Sequence, residues 1–131
     1  MAAVAACFLG DRIRAAAPAA ANRPYWFEPA DGSAPACVGA AAVWTFYGQN
    51  DTHFAASEAY PGAFGDEQVA FWRARHGCGD GEDALPFGAA GECVAYAGCE
   101  AETRYCLYDP AAGHQVPGYF RDAVLGWFRG F

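Results

Sequence analysis

Segments with helix character and segments with strand character alternate along this 131-residue chain, and that order constrains its fold more than any single motif. Residues 2 to 9 are Ala-rich and stop at Gly10, as a short helix packed closely against a neighbour would. Ile13 to Ala20 reads as a short buried strand. Ala40 to Tyr47 (Ala-Ala-Ala-Val-Trp-Thr-Phe-Tyr) is the best strand in the chain, rich in aromatic and β-branched residues and closed by Gly48. Asp66 to His76 reads as a helix, Thr103 to Asp109 as a third strand, and Tyr119 to Phe131 as a closing helix. Strands that alternate with helices pair in parallel through right-handed crossovers, so the helices cover both sheet faces. The expectation is an α/β fold on a three-stranded parallel sheet.

Local signals support this order. Asp66 and Glu67 begin the middle helix, Arg73 and Arg75 end it, and Gly77 follows, each matching the helix dipole and its C-terminal stop. Val69, Trp72 and His76 share one face at helical spacing, with Trp72 as core and His76 as a cap at the helix end. Phe120, Val124, Trp127, Phe128 and Phe131 form an apolar stripe on the closing helix, which a sheet must cover. Asn22 to Gly39, with three prolines and two glycines, reads as an irregular excursion; Tyr25-Trp26-Phe27 within it is a satellite core cluster or a pocket wall. Gly77 to Gly98 reads as loop.

The length suits one domain, and the 54% apolar content is enough for a sizeable core. Fifteen acidic side chains against eight basic ones give a net charge of −7. The basic residues are scattered arginines, so there is no basic stripe for nucleic acid. No apolar run approaches the length of a membrane span. The first 21 residues imitate a signal peptide, but they lack a positive start and are interrupted by Asp11-Arg12-Ile13-Arg14.

Six cysteines in so short a chain point to disulfides and an oxidising compartment. Four of them, Cys78, Cys93, Cys99 and Cys106, are separated by 14, 5 and 6 residues, which is not the tight pairing of a zinc site. Only His76 with Cys78 makes a ligand-like pair. Fifteen disulfide pairings are open from the sequence.

Two residues carry the chemical interest. Asp51 follows directly on the end of the Ala40–Tyr47 strand, and His114 lies in a Gly113-His114 turn beyond the Thr103–Asp109 strand, closed by Pro117. The C-terminal edge of an open α/β sheet is where reactive groups gather. Each residue also has a plainer reading, Asp51 as a turn residue or helix cap and His114 as a turn histidine. An acid and then a histidine after successive strands is the second half of a Ser–Asp–His triad on an α/β-hydrolase sheet.

Gly48-Gln49-Asn50-Asp51, Phe71-Trp72 with His76-Gly77-Cys78, Tyr96-Ala97-Gly98-Cys99, Tyr105 to Asp109, and Gly113-His114-Gln115-Val116-Pro117 together resemble the C-terminal half of the polyhydroxybutyrate depolymerase and feruloyl esterase family. The resemblance implies a secreted serine carboxylic-ester hydrolase of α/β-hydrolase fold that needs no cofactor. Asp51 would be the triad acid and His114 the general base. The substrate would be an aromatic or hydroxyalkanoate ester, on a polysaccharide or a polyester. It also implies Cys78 bonded to Cys99 and Cys93 to Cys106, leaving Cys7 with Cys37. Val116, where depolymerases often carry Trp, leans toward the feruloyl esterases.

One part of the family pattern is missing. The nucleophile motif Gly-x-Ser-x-Gly is absent, and neither serine, Ser33 or Ser57, has the glycine-flanked setting that exposes a nucleophilic hydroxyl. The expectation is therefore that residues 1–131 form one partial domain, the C-terminal portion of an esterase, inactive alone. The rival is a secreted, non-catalytic module on the same scaffold, binding a carbohydrate or a partner through Tyr25, Trp26 and Phe27. A thiol redox protein would need a Cys-x-x-Cys pair, which this sequence lacks.

Overall fold

The computed structural model describes residues 1–21, 24, 33, 36–51, 63–109 and 111–131. The Tyr25-Trp26-Phe27 cluster and Ser57 lie outside the described residues. The elements are α1 (Ala2–Phe8), β1 (Ala15–Ala16), β2 (Ala42–Gly48), α2 (Ala63–Arg75), β3 (Glu82–Ala84), β4 (Cys93–Tyr96), β5 (Thr103–Tyr108) and α3 (Phe120–Phe128). They build a five-stranded mixed sheet of order β1-β2-β5-β4-β3.

β2 and β5 run parallel over six residue pairs, from Val43 opposite Thr103 to Gly48 opposite Tyr108, and β1 joins β2 in parallel. Every residue of β2 is buried, as the pattern of a strand covered on both faces requires. The period-two alternation then sorts its side chains. Trp44 and Phe46 pack with Cys106, Tyr108 and the Ala123, Val124 and Trp127 face of α3. Val43 packs on the other face with Ala3, Ala6 and Cys7 of α1 and Trp72 of α2, and Tyr47 packs with Val69 and Tyr105. Helices thus cover both faces, α1 and α2 on one and α3 on the other.

The structure corrects four expectations. The Ile13–Ala20 strand shrinks to Ala15–Ala16 because Pro18 has no N–H for the ladder; the register resumes beyond it at Ala19 opposite Phe46. The Gly77–Gly98 loop contains β3 and β4, which pair antiparallel with each other and onto β5, so the sheet is mixed and has five strands rather than three. His76 does not cap α2: it is buried, 2% exposed, with Nδ1 2.8 Å from Thr103 Oγ1. On α3 the stripe is partly exposed, Phe128 and Phe131 lying at the surface while Ala123 joins Val124 and Trp127 inside.

Three disulfides brace the sheet: Cys7–Cys37, Cys78–Cys99 and Cys93–Cys106. Cys93 and Cys106 are direct cross-strand partners, so that bond lies across the β4/β5 pair. Cys7–Cys37 ties α1 to the segment entering β2, where Gly10 bridges Gly39. That approach demands glycine, because a Cβ on Gly10 would lie 2.4 Å from the Val38 carbonyl oxygen. Each bond stabilises by about 3 kcal/mol through restriction of the unfolded chain. Among the described residues no helix is long and apolar enough to cross a membrane.

Candidate active site

β2 and β5 are neighbours, so whatever follows their C-terminal ends is brought together. Beyond β2 the chain turns at once, with Asp51 N–H donating to Gly48 O at 3.1 Å. Beyond β5, Asp109 adopts a positive φ of 40°, its Oδ1 accepts from Ala111 N–H at 2.9 Å, and its carbonyl accepts from Ala112 N–H at 2.9 Å. This is the self-bonding that equips Asp for tight turns. Two further backbone bonds tie the turns to their neighbours across the sheet: Gln49 N–H to Tyr108 O at 3.0 Å and Asn50 N–H to Ala112 O at 2.9 Å.

Gly48 lets the two turns meet. A Cβ there would lie 2.5 Å from Gly113 O and 2.6 Å from Ala112 O, both backbone atoms that cannot swing away. The last residue of β2 therefore has no side chain, and the histidine turn rests on its backbone.

The result is the Asp51–His114 pair. His114 Nδ1 lies 3.0 Å from Asp51 Oδ2; the carboxylate side chain is fully buried and the imidazole is 41% exposed. A carboxylate only accepts hydrogen bonds, so Nδ1 carries the proton and donates it. Nε2 is then the nitrogen with the lone pair, on the opposite side of the ring from Asp51. A buried acid that fixes the tautomer and orientation of a partly exposed imidazole equips it as a general base.

Tyr108, the last residue of β5, supports this arrangement and was not singled out from the sequence. Its hydroxyl donates to the carbonyl of Gln115, fastening the residue after His114. Burial, and secondarily the charge of Asp51, push the Tyr108 pKa up to about 12, so the hydroxyl remains a donor at neutral pH. Its signal in the sequence was its place in the alternation Arg104, Cys106, Tyr108 on one strand face.

A cavity of about 370 Å3 opens beside the segment that follows His114, lined by Glu92, Tyr108, Asp109, Gln115, Val116 and Tyr119 among others. Tyr119 donates its hydroxyl to Glu92 Oε1. Burial, and then the bond to the Glu92 carboxylate, raise the Tyr119 pKa, so it keeps its proton too. The cavity joins two carboxylates, Glu92 and Asp109, with hydroxyl and amide groups beside the segment that follows His114.

The remaining candidates fall elsewhere. Ser33 is exposed. Cys78 is bonded to Cys99 and His76 to Thr103, which removes the pair suggested as metal ligands. Among the described residues no group of three or more His, Cys, Asp or Glu side chains converges as a metal site. Comparison with known protein-family models and with curated proteins yields no match.

Proposed function

We propose that Asp51 and His114 are the acid and base of a serine carboxylic-ester hydrolase, and that this chain supplies the C-terminal portion of its α/β-hydrolase domain. The observation that carries this reading is the 3.0 Å contact between a buried carboxylate and a partly exposed imidazole, each placed just beyond the C-terminal end of one of two adjacent parallel strands. In such an enzyme His114 Nε2 takes the proton of the serine hydroxyl as it attacks the ester carbonyl and returns it to the departing alcohol. Water then hydrolyses the acyl-serine by the same route in reverse order. Asp51 stabilises the imidazolium formed in each half-reaction.

The substrate class is an aromatic, feruloyl-type ester or a hydroxyalkanoate ester, carried on a polysaccharide or a polyester. Three disulfides support an extracellular setting, where such bonds form and persist. The nucleophile comes from a Gly-x-Ser-x-Gly segment that these 131 residues do not contain.

Two measurements test the proposal. The coding sequence immediately upstream of Met1 should encode a Gly-x-Ser-x-Gly-Gly run; a stop codon there overturns the assignment to a larger esterase. The isolated chain should not hydrolyse a chromogenic short-chain ester above background. Turnover lost in His114→Ala would show instead that the chain holds a nucleophile of its own.

A further inference from the structure

A second cavity, of about 420 Å3, lies at the other end of β5, against the C-terminal half of α3. Its chemistry comes from Glu102 and Arg104, two apart in sequence, and from Phe87, Asp122, Trp127 and Phe131. Arg104 stands beside Trp44 in the parallel register, and its guanidinium lies 4.9 Å from the Trp44 ring centre and 5.5 Å from that of Trp127. Glu102 holds both partners: Oε1 accepts from Arg104 Nε at 2.6 Å and from Nη2, and Oε2 accepts from Trp127 Nε1 at 2.9 Å. The guanidinium is thereby fixed in plane, neutralised and stacked.

The wall beyond this fixed group is a mixture of aromatic surface and hydrogen-bonding edge. Phe131 is 45% exposed and Phe87 half-buried, and each offers ring surface to the cavity. Asp122 adds an exposed carboxylate acceptor on the rim. Gly126 leaves the helix side open, since a Cβ there would meet nothing within 4 Å. A rigid apolar wall with a few placed polar groups is the general form of a small-molecule site.

Charge narrows the ligand. Asp122 is itself paired with Arg121 at 3.2 Å, as Glu102 is with Arg104, so the charged groups around the cavity balance, and in a chain whose net charge is −7 an anion is disfavoured. With Glu102 and Asp122 each already paired to an arginine, a cation gains little there either. A neutral ligand with an apolar face and a polar rim fits both constraints. We propose that this cavity binds a neutral saccharide, one pyranose ring lying against the aromatic wall while its hydroxyls meet Arg104, Glu102 and Asp122. The site is four residues along β5 from Tyr108, about 13 Å at the ordinary rise of a strand. It does not depend on the esterase reading, because it shares no residue with the Asp51–His114 pair.

The test is titration of the 131-residue chain, disulfides intact, with xylohexaose, cellohexaose and mannohexaose, following the tryptophan indole N–H signals by NMR. The expected result is a saturable shift of the Trp127 indole N–H with at least one of the three, half-complete at a concentration on the order of 1 mM. Phe131→Ala should weaken binding by roughly tenfold, corresponding to loss of one stacked ring. Phe128→Ala is the control: its ring stacks on Trp127 but does not line the cavity, and binding should remain within about twofold. Both rings are exposed, and unchanged melting temperatures would show that the variants fold. The proposal is overturned by no saturable shift with any of the three up to about 10 mM. Equal weakening by the two variants also overturns it, as does the same Trp127 shift with inorganic phosphate, which would mark an anion site.

Discussion

His76 and His114 use the same atom for opposite ends. Each engages an oxygen through Nδ1, at 2.8 Å from Thr103 Oγ1 and 3.0 Å from Asp51 Oδ2 respectively. Thr103 already donates its hydroxyl hydrogen to Ala101 O at 3.0 Å, so His76 must donate Nδ1–H, the same tautomer as at His114. What differs is the partner's charge and access to solvent. His76 meets a neutral hydroxyl under Trp72 and is sealed, so its imidazole stays neutral and helps lock α2 to β5. His114 meets a carboxylate, and its side chain is 41% exposed. Hydrogen-bond geometry alone does not tell these two histidines apart; the charge behind each ring and the exposure in front of it do.

The largest expected effect is on the sealed side. His76→Ala removes a buried ring and leaves Thr103 Oγ1 without its donor, which costs about 3 kcal/mol of stability by comparison with other large-to-small core changes. Chemical denaturation of the two proteins measures it. A loss below about 1 kcal/mol would mean that the α2 end collapses onto the gap. Next is Gly48→Ala, which acts on the other histidine without touching it. Its Cβ would collide with the carbonyls of Gly113 and Ala112. The turn must then lift, costing about 2 kcal/mol as overpacking does. The His114 ring signals should move in an NMR spectrum while those of His76 stay in place; movement of both would show that the two ends are coupled.

These two regions were unequally legible in the sequence. Asp51 and His114 stand just past strands whose composition was plain, so their meeting follows from pairing β2 with β5. The role of His76 was misread although its signal was present: Val69, Trp72 and His76 share an apolar helix face, and that face decides burial more than nearness to the helix end. β3 and β4 were not legible. Glu82-Asp83-Ala84 is exposed and acidic, with no alternation to announce a strand, and it exists because β4, itself stapled by Cys93–Cys106, offers it an edge. The saccharide cavity was hidden for a related reason: Phe87, the Glu102–Arg104 pair and Phe131 are far apart in sequence, and only the packing of α3 on the sheet assembles them.

Acid should act on the sealed histidine next. Burial, reinforced by the Arg75 charge and opposed by Glu100, lowers the His76 pKa from 6.5. Below pH 6.5 the unfolded chain therefore binds a proton that the folded chain refuses, and the neutral His76 disfavours acid conditions. Stability should fall as pH drops from 7 through 5, with this one group contributing at most about 1.4 kcal/mol per pH unit. His76→Gln keeps a donor for Thr103 but has no proton to gain. The difference in unfolding free energy between the two proteins should narrow as pH falls over this range. A constant difference would contradict the sealed, neutral assignment.

The smallest effect should come from His114→Ala. Asp51 is fully buried, and loss of the imidazole removes a donor from a buried carboxylate, which in a sealed site would cost several kcal/mol. The site is not sealed on the histidine side. With the ring gone, water fills its place and donates to Oδ2, so the cost falls to about 1 kcal/mol, a third of that for His76→Ala. Denaturation of the two alanine variants under one set of conditions compares them directly. Equal losses would mean that His114 is held as tightly as His76 and serves the fold. A small loss at His114 beside a large one at His76 is the pattern of an imidazole kept in position for chemistry, since the fold then gains little from the ring that these backbone and side-chain contacts place.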